Sequence, residues 1–394
     1  MLILNMASLG KLLVGRILAL PTLEGTNPSP PPSPRLRRAG SPSPRCAGRG
    51  NWRIAGWWCR EAPLFLVALA LGLGAAAEGQ PFYLPTANHA LFEKGGEERF
   101  FAPTPGKSWE SGCFGCVRSE GMQMHEGLDI KSIQRDRLGE PADPVLATAA
   151  GTVVYMNQQT ALSNYGRYLV LRHVIGGVEV YSLYAHLQSI RGDLKPGAAV
   201  QAGEAVAVMG RTSNTGETIT KDRAHVHFEL NLFYSDHFQA WYTKHYPTER
   251  NEHGLWNGEN LVGFDPRLVF LAERDQGAAF DLTKWLQGRT ELCRVVARQT
   301  NFSWVKRYPM LVRSNPVAQK SGIAGYEIAL DYNALPFEWV PRAASELKSR
   351  AKYSLVSVNE AEETKNPCRK LVSRQSGKWE LAPYGVSMLD LLSE

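Results

Sequence analysis

From residue 82 to residue 271 the chain is a succession of short β-branched and aromatic runs cut by Gly, Pro and Asn. That texture confines it to an antiparallel β architecture, because each run is too short for a helix and is bounded by turn-forming residues. The runs at 144–147, 151–155, 167–173, 178–184, 205–209 and 226–232 predict strands of a sheet or barrel-like sandwich. From about residue 275 the texture changes. A helix is expected over 282–298 and strands over 326–332 and 353–358. A second helix is expected over 341–352, with Pro341 in its first turn. The expected fold class is therefore mainly β: an antiparallel sheet or sandwich core with an open groove, followed by a small C-terminal α+β domain. The expected division is a leader over 1–77, a β domain over 78–275 and an α+β domain over 276–394, without tandem repeats.

Two clusters on the β runs carry chemistry. His125 and Asp129 lie in Met124-His-Glu-Gly-Leu-Asp-Ile130, and His225 and His227 lie in Ala224-His-Val-His-Phe-Glu-Leu230. His186 stands between them in Tyr184-Ala-His-Leu187. Alternate residues of a strand share a face, so His225, His227 and Glu229 point one way while Val226, Phe228 and Leu230 point into a core. The same count puts His125, Gly127 and Asp129 on one face if that segment is extended, and Gly127 disfavours a helix there. Position 129 is Asp, which excludes the helical His-Glu-x-x-His zinc signature that His125-Glu126 superficially opens. Zinc accepts imidazole nitrogen and carboxylate oxygen, and a catalytic site uses three protein ligands and leaves a position open. His125, Asp129 and one of His225 and His227 reach that number, and the remaining histidines are available for proton transfer. Glu126 and Glu229 are expected to orient ligands or face water. His89, His173, His237, His245 and His253 are read as structural.

The chain's net charge of +6 belongs to its first part. Residues 1–77 hold nine Lys and Arg against two acids, and the other 317 residues hold 35 bases and 36 acids, so composition gives no reason to expect a nucleic-acid partner. Residues 276–394 carry 17 bases and 12 acids, a balance expected to reflect a solvated surface. Arg53 and Arg60 precede an apolar run over 63–73 that ends in Gly74-Ala-Ala-Ala77, the order of an export signal, with cleavage expected after Ala77. The run is short for a bilayer span, so no stable membrane span is expected after cleavage. An uncleaved anchor is the alternative. The Pro-, Ser- and Arg-rich stretch over 27–45 cannot bury a core, and a start downstream of Met1 would leave it out of the protein. Four cysteines follow the leader: Cys113, Cys116, Cys293 and Cys368. In an exported chain they predict disulfides. The expected pair is Cys293 with Cys368, leaving Cys113 and Cys116 bonded to each other or both reduced.

The run His125-Glu-Gly-Leu-Asp129, then Tyr184-Ala-His186-Leu, then Lys195-Pro-Gly-Ala-Ala-Val-Gln-Ala-Gly203, Gly210-Arg-Thr-Ser and His225-Val-His227-Phe-Glu resembles the lysostaphin-type zinc metallopeptidases over roughly residues 120–270, with the motifs in the family's order. The resemblance implies zinc (Zn2+) held by His125, Asp129 and His227. It also implies His186 and His225 as non-ligand catalytic histidines and the peptide cross-links of bacterial peptidoglycan as substrate. An exported, monomeric protein of the periplasm, extracellular space or cell envelope follows from the same reading. The chain departs from the family pattern at 218–224, where Lys221, Asp222 and Arg223 replace a small Gly and Pro turn. It departs again in an aromatic insertion over 231–264. Two rival functions remain: a non-catalytic activator on the same fold, which the five intact positions oppose, and a biotinyl or lipoyl carrier, which would need a Lys at a hairpin tip that this chain lacks.

Overall fold

The computed structural model describes residues 82–215 and 219–393. The leader over 1–77, with its expected export signal and cleavage site, lies outside the described residues. Strand β1 (Gly115–Arg118) pairs with β2 (Gln123–His125), and β3 (Leu128–Lys131) follows after a break at Glu126 and Gly127. Then come β4 (Pro144–Leu146), β5 (Gly151–Asn157), β6 (Tyr168–Ile175), β7 (Val178–Ala185), β8 (Ser189–Ile190), β9 (Ala199–Val200), β10 (Ala205–Val208), β11 (His225–Phe233) and β12 (Leu261–Phe264). The main sheet runs β12-β11-β7-β6-β5-β9. Strand β3 joins the first half of β11, alongside which β12 takes the second half. All these pairings are antiparallel. The six runs expected to be strands are strands, and the antiparallel β core is the observed one. Strands β1, β8, β9 and β12 lie outside the expected runs, being two to four residues long and too short for alternation to register, while β2 and β3 supply the extended segment on which the shared face of His125 and Asp129 is conditional.

Along β11 the alternation holds. Val226, Phe228, Leu230 and Leu232 enter the large hydrophobic core with Val153, Leu169, Leu171 and Tyr184. The opposite face carries His225, His227 and Glu229 and runs into a smaller cluster of Tyr165, Tyr168, Tyr181, Leu183 and Phe233. Every residue of β11 is buried, including the polar ones. Burying imidazoles and a carboxylate is costly unless each is hydrogen-bonded, so this face must satisfy them internally.

Beyond residue 276 a second antiparallel sheet forms from β13 (Cys293–Ala297), β14 (Gly325–Leu330), β15 (Pro336–Arg342) and β16 (Tyr353–Val358), in the order β15-β14-β13-β16. A hairpin of β17 (Val372–Gln375) and β18 (Lys378–Leu381) and a helix over Pro383–Leu392 complete it. The helix expected over 282–298 is instead a short helix, Leu282–Gln287, followed by β13. Gly288 stops it, and Val295 and Val296 pair between two strands, where tertiary pairing overrides local preference. The helix expected over 341–352 is the end of β15 and a single 3-10 turn at Ala344–Glu346. Pro341 sits in β15, the outer strand of the four-stranded sheet, where a missing N–H is tolerated.

The cysteine expectation is also overturned. Cys116 of β1 is bonded to Cys368, with Cα atoms 5.4 Å apart, while Cys113 and Cys293 are free and buried. Cys293 opens β13 with no exposure, and burial pushes its thiol up to about 12. The helix Glu360–Lys365 carries Cys368 away from it and onto the β1–β2 hairpin. The aromatic insertion folds as a helix, Phe238–His245, whose Trp241 Nε1 donates to Ser387 O at 2.9 Å. Trp256 packs on Tyr181 and Phe233. The insertion thus caps the end of the sheet and seats the C-terminal helix.

Candidate metal centre

Strand register assembles the site. His227 of β11 lies directly opposite Asp129 of β3 on one side and Ala185 of β7 on the other. His186 is therefore one residue beyond the cross-strand neighbour of His227. His125 ends β2 and reaches the same point through the break at Gly127. A Cβ on Gly127 would stand 2.4 Å from Phe228 O, 2.9 Å from Glu229 Cγ and 3.0 Å from His227 Nε2. Close approach, rather than helix avoidance, is why glycine occupies that position.

All five residues expected at the site converge. His125 Nε2 is 3.1 Å from Asp129 Oδ1 and 3.1 Å from His227 Nδ1, and His227 Nδ1 is 3.0 Å from Asp129 Oδ1. His225 Nε2 is 3.5 Å from the same carboxylate oxygen. The His186 ring centre lies 4.9 Å from that of His225 and 6.0 Å from that of His227. Tetrahedral zinc with ligands at about 2.0–2.1 Å holds neighbouring donor atoms roughly 3.3 Å apart. The triangle of two imidazole nitrogens and a carboxylate oxygen fits that ion with small adjustment, and it is the one such group of three among the described residues.

Each imidazole is oriented through its other nitrogen. His125 Nδ1–H donates to Cys113 O at 2.6 Å, His186 Nδ1–H to Thr212 O at 2.8 Å and His225 Nδ1–H to Arg223 O at 2.6 Å. Those bonds fix the tautomer and leave Nε2 of each ring as a lone-pair donor. His227 is reversed: Nε2–H donates to Glu229 Oε1 at 2.8 Å, leaving Nδ1 for the centre. Glu229 is held in turn by Tyr165 Oη–H at 2.6 Å and Asn231 Nδ2–H at 3.0 Å. Such a carboxylate behind a metal-binding histidine fixes its ring and raises its basicity.

Electrostatics follow from burial and these partners. Burial lowers the pKa of His125, His186 and His225, that of His186 to about 3, with the neighbouring imidazoles adding to the effect. Burial also opposes the His227 cation, but the bonds to Asp129 and Glu229 outweigh it and raise the group to about 9. Proton and metal ion compete for the Nδ1 lone pair. Burial works against the Asp129 carboxylate too, yet His125, His225 and Arg118 together hold it well below the usual carboxylate range. His186 adopts φ +59°, an unusual conformation for a non-glycine residue and one that clusters at functional sites.

Three contributors escaped the sequence. Arg118 Nη2 donates to Asp129 Oδ2 at 2.6 Å, leaving Oδ1 to the triangle. Tyr165 anchors Glu229 from 64 residues away. Arg369 lines the cavity from beyond residue 276. Nothing local in the sequence marks any of them. The Cys113-Phe-Gly-Cys116 segment supplies the carbonyl that orients His125 and the sulfur that binds Cys368. At the first departure from the family pattern, Thr220 and Arg223 line the cavity.

Residues 123–239 match the family described as Peptidase family M23. A curated relative, "Lipoprotein NlpD/LppB homolog" of Pseudomonas aeruginosa, is 32% identical over 108 residues, covering 27% of this chain and 29% of that protein. The chain thus spans under a third of the length of that relative. A zinc-containing peptidase from Vibrio cholerae is 27% identical, with 27% of this chain and 26% of that one covered and a TM-score of 0.20. The catalytic domain of lysostaphin from Staphylococcus simulans is 20% identical, with 41% and 86% covered and a TM-score of 0.25.

Proposed function

We propose, from the match of residues 123–239 to peptidase family M23, that the chain is a zinc-dependent endopeptidase that hydrolyses peptide cross-links of bacterial peptidoglycan. The observation that carries this reading is the meeting of His125 Nε2, Asp129 Oδ1 and His227 Nδ1 within 3.1 Å of one another. In it those three residues hold the metal. Zinc bound there supplies Lewis-acid polarisation of the scissile carbonyl and lowers the pKa of water toward ~7.

The chain's own residues do the rest. Arg118 and Glu229 keep Asp129 and His227 in the ligating orientation. His186 and His225, each with Nδ1–H tied to a backbone carbonyl, offer Nε2 to the reacting groups. One takes the proton of the attacking water, and the other stabilises the developing oxyanion or protonates the leaving amine. The buried surroundings strengthen each of these interactions.

In the same reading residues 78–275 are the peptidase unit, residues 1–77 direct export with cleavage after Ala77, and the mature protein acts as a monomer in the cell envelope. No helix among the described residues is long and apolar enough to cross a membrane. Digestion of purified peptidoglycan, with released fragments identified by mass, tests the activity. Cleavage should stop with a chelator, return with zinc, and be lost in His227→Ala together with stoichiometric zinc uptake. Unchanged cleavage by His227→Ala would remove the assignment. Zinc uptake without any cleavage would instead favour the activator on the same fold.

A further inference from the structure

The cavity over the histidine cluster, about 710 Å3, has a second wall that the β domain does not supply. Cys368, Arg369, Lys370, Tyr384 and Met388 form it, with Asn333 beside them. Arg369 is at its centre and is tightly held. Its Nε–H donates to Asn333 Oδ1 at 2.8 Å, and its Nη2 lies 3.3 Å from Oε1 of Glu126, the residue after His125. Asn333 is itself fixed, donating Nδ2–H to Gly263 O of β12 at 2.7 Å. On one side of Arg369 the chain is bonded to β1 through Cys368, and on the other Lys370 adopts φ +52°. The guanidinium is therefore fixed on the lining of the cavity that the histidines share by constraints on three consecutive residues.

These partners do not exhaust it. A guanidinium presents five N–H donors in a planar fork, and a matched carboxylate takes two of them in parallel at about 2.7–2.9 Å. The guanidinium lies over the Tyr384 ring at 5.9 Å, its 3.3 Å contact to Glu126 is longer than such a paired bond, and 21% of the Arg369 side chain stays exposed where it lines the cavity. Arg118, also on the cavity, is committed to Asp129. Of the three acids on the lining, Asp129 is held by Arg118, while Glu126 and Glu259 contribute to the field at Arg369. Glu259 also accepts from Tyr246 Oη–H at 3.0 Å. A cation that is permanently charged, pre-oriented and open to the cavity suits a carboxylate brought by a ligand.

We propose that Arg369, positioned by Asn333 and the Cys116–Cys368 bridge, binds a carboxylate of the peptide substrate, so that the C-terminal part of the chain selects acidic peptides for the centre on the sheet. This rests on the reading of the centre as a peptidase site. The cost of holding the guanidinium is met in the folded protein, so a carboxylate gains its full charge-assisted bonding on arrival. A carboxamide in its place would gain only a neutral hydrogen bond.

The test uses the full mature chain and a synthetic peptidoglycan stem peptide in two forms, one with its carboxylates free and one with each converted to carboxamide. Affinities are measured by calorimetry on metal-free protein, so that the result is independent of hydrolysis. The carboxylate form should bind about tenfold or more tightly than the carboxamide form. Arg369→Gln should erase that preference by weakening the carboxylate form far more than the carboxamide form, and Arg369→Lys should retain part of it. Should Arg369→Gln lower the thermal midpoint, Asn333→Ala, which keeps the charge but releases it, should weaken the same preference severalfold. Absence of a preference in the wild type, absence of binding by either form, or equal weakening of both forms in Arg369→Gln would overturn the proposal. Preferred binding of the carboxylate form by a protein that cleaves nothing with zinc would sink the peptidase reading alone and leave the subsite standing.

Discussion

The two walls of the cavity are built by different means. The sheet wall comes from β3, β7 and β11, where register puts Asp129 opposite His227 and His186 one step past Ala185. Its parts are short motifs whose spacing declares a shared face. The other wall is fixed by a disulfide between residues 252 apart and by hydrogen bonds from Asn333 to Gly263 and from Arg369 to Glu126. Its parts have no pattern of their own. A periodic lattice makes one wall legible and rigid, whereas the second depends on a few long-range links.

Removing the bridge should break that contrast most visibly. Closing so long a loop restricts the unfolded chain, and Cys116→Ser with Cys368→Ser should cost about 2–4 kcal/mol in denaturant unfolding. If the second wall depends on that link, amide exchange should rise around residues 366–372 more than in β6, β7 and β11. Uniform exchange would show that the two walls are equally self-supporting.

Gly127→Ala probes the sheet wall in the same terms. The added methyl meets backbone and the His227 ring, so something must shift. Overpacking of this kind costs roughly 1–3 kcal/mol, and zinc affinity should fall along with stability. Wild-type zinc affinity in this variant would mean that the β2–β3 break is more compliant than its contacts suggest.

A smaller effect is expected from Glu229→Gln. It weakens the carboxylate behind His227 while keeping volume, and zinc affinity measured by competition with a chromophoric chelator should drop about 10–100-fold. The thermal midpoint of the metal-free protein should move less than in Gly127→Ala.

The smallest expected effect lies where the two regions of sequence meet, at Glu273. It is buried, accepts from Phe82 N–H at 3.0 Å, and burial raises its pKa to about 7. A carboxyl whose folded pKa is raised contributes stability that is complete below its ordinary value near 4.5 and is lost as pH rises through 7. Asp331, also pushed up to about 7 by burial, acts in the same direction. The thermal midpoint of Glu273→Gln should therefore gain on that of the wild type as pH rises from 5 to 8. Equal slopes would place the titration elsewhere.

What could be read in advance followed distance along the chain. His225, His227 and Glu229 were legible as one face because strand alternation is a two-residue rule. Asp129 and His125 were legible as partners through their spacing, although the real reason for Gly127 is the backbone of β11, whose Phe228 O would stand 2.4 Å from an added Cβ. The helices expected over 282–298 and 341–352 failed because pairing in the second sheet outweighed local preference. The cysteine pairing failed because four cysteines allow three connectivities and no local rule chooses among them.

By itself, then, the sequence determined an antiparallel β core and a set of imidazoles and a carboxylate sharing one face, since periodicity and side-chain chemistry act over a few residues. Tertiary structure alone decided that Arg118 and Tyr165 brace that set, that Cys368 reaches Cys116, and that Arg369 closes the cavity. Those contacts join residues from 11 to 252 positions apart. They arise only when the burial of whole elements brings distant segments together, a balance summed over the entire core that no short stretch of sequence encodes.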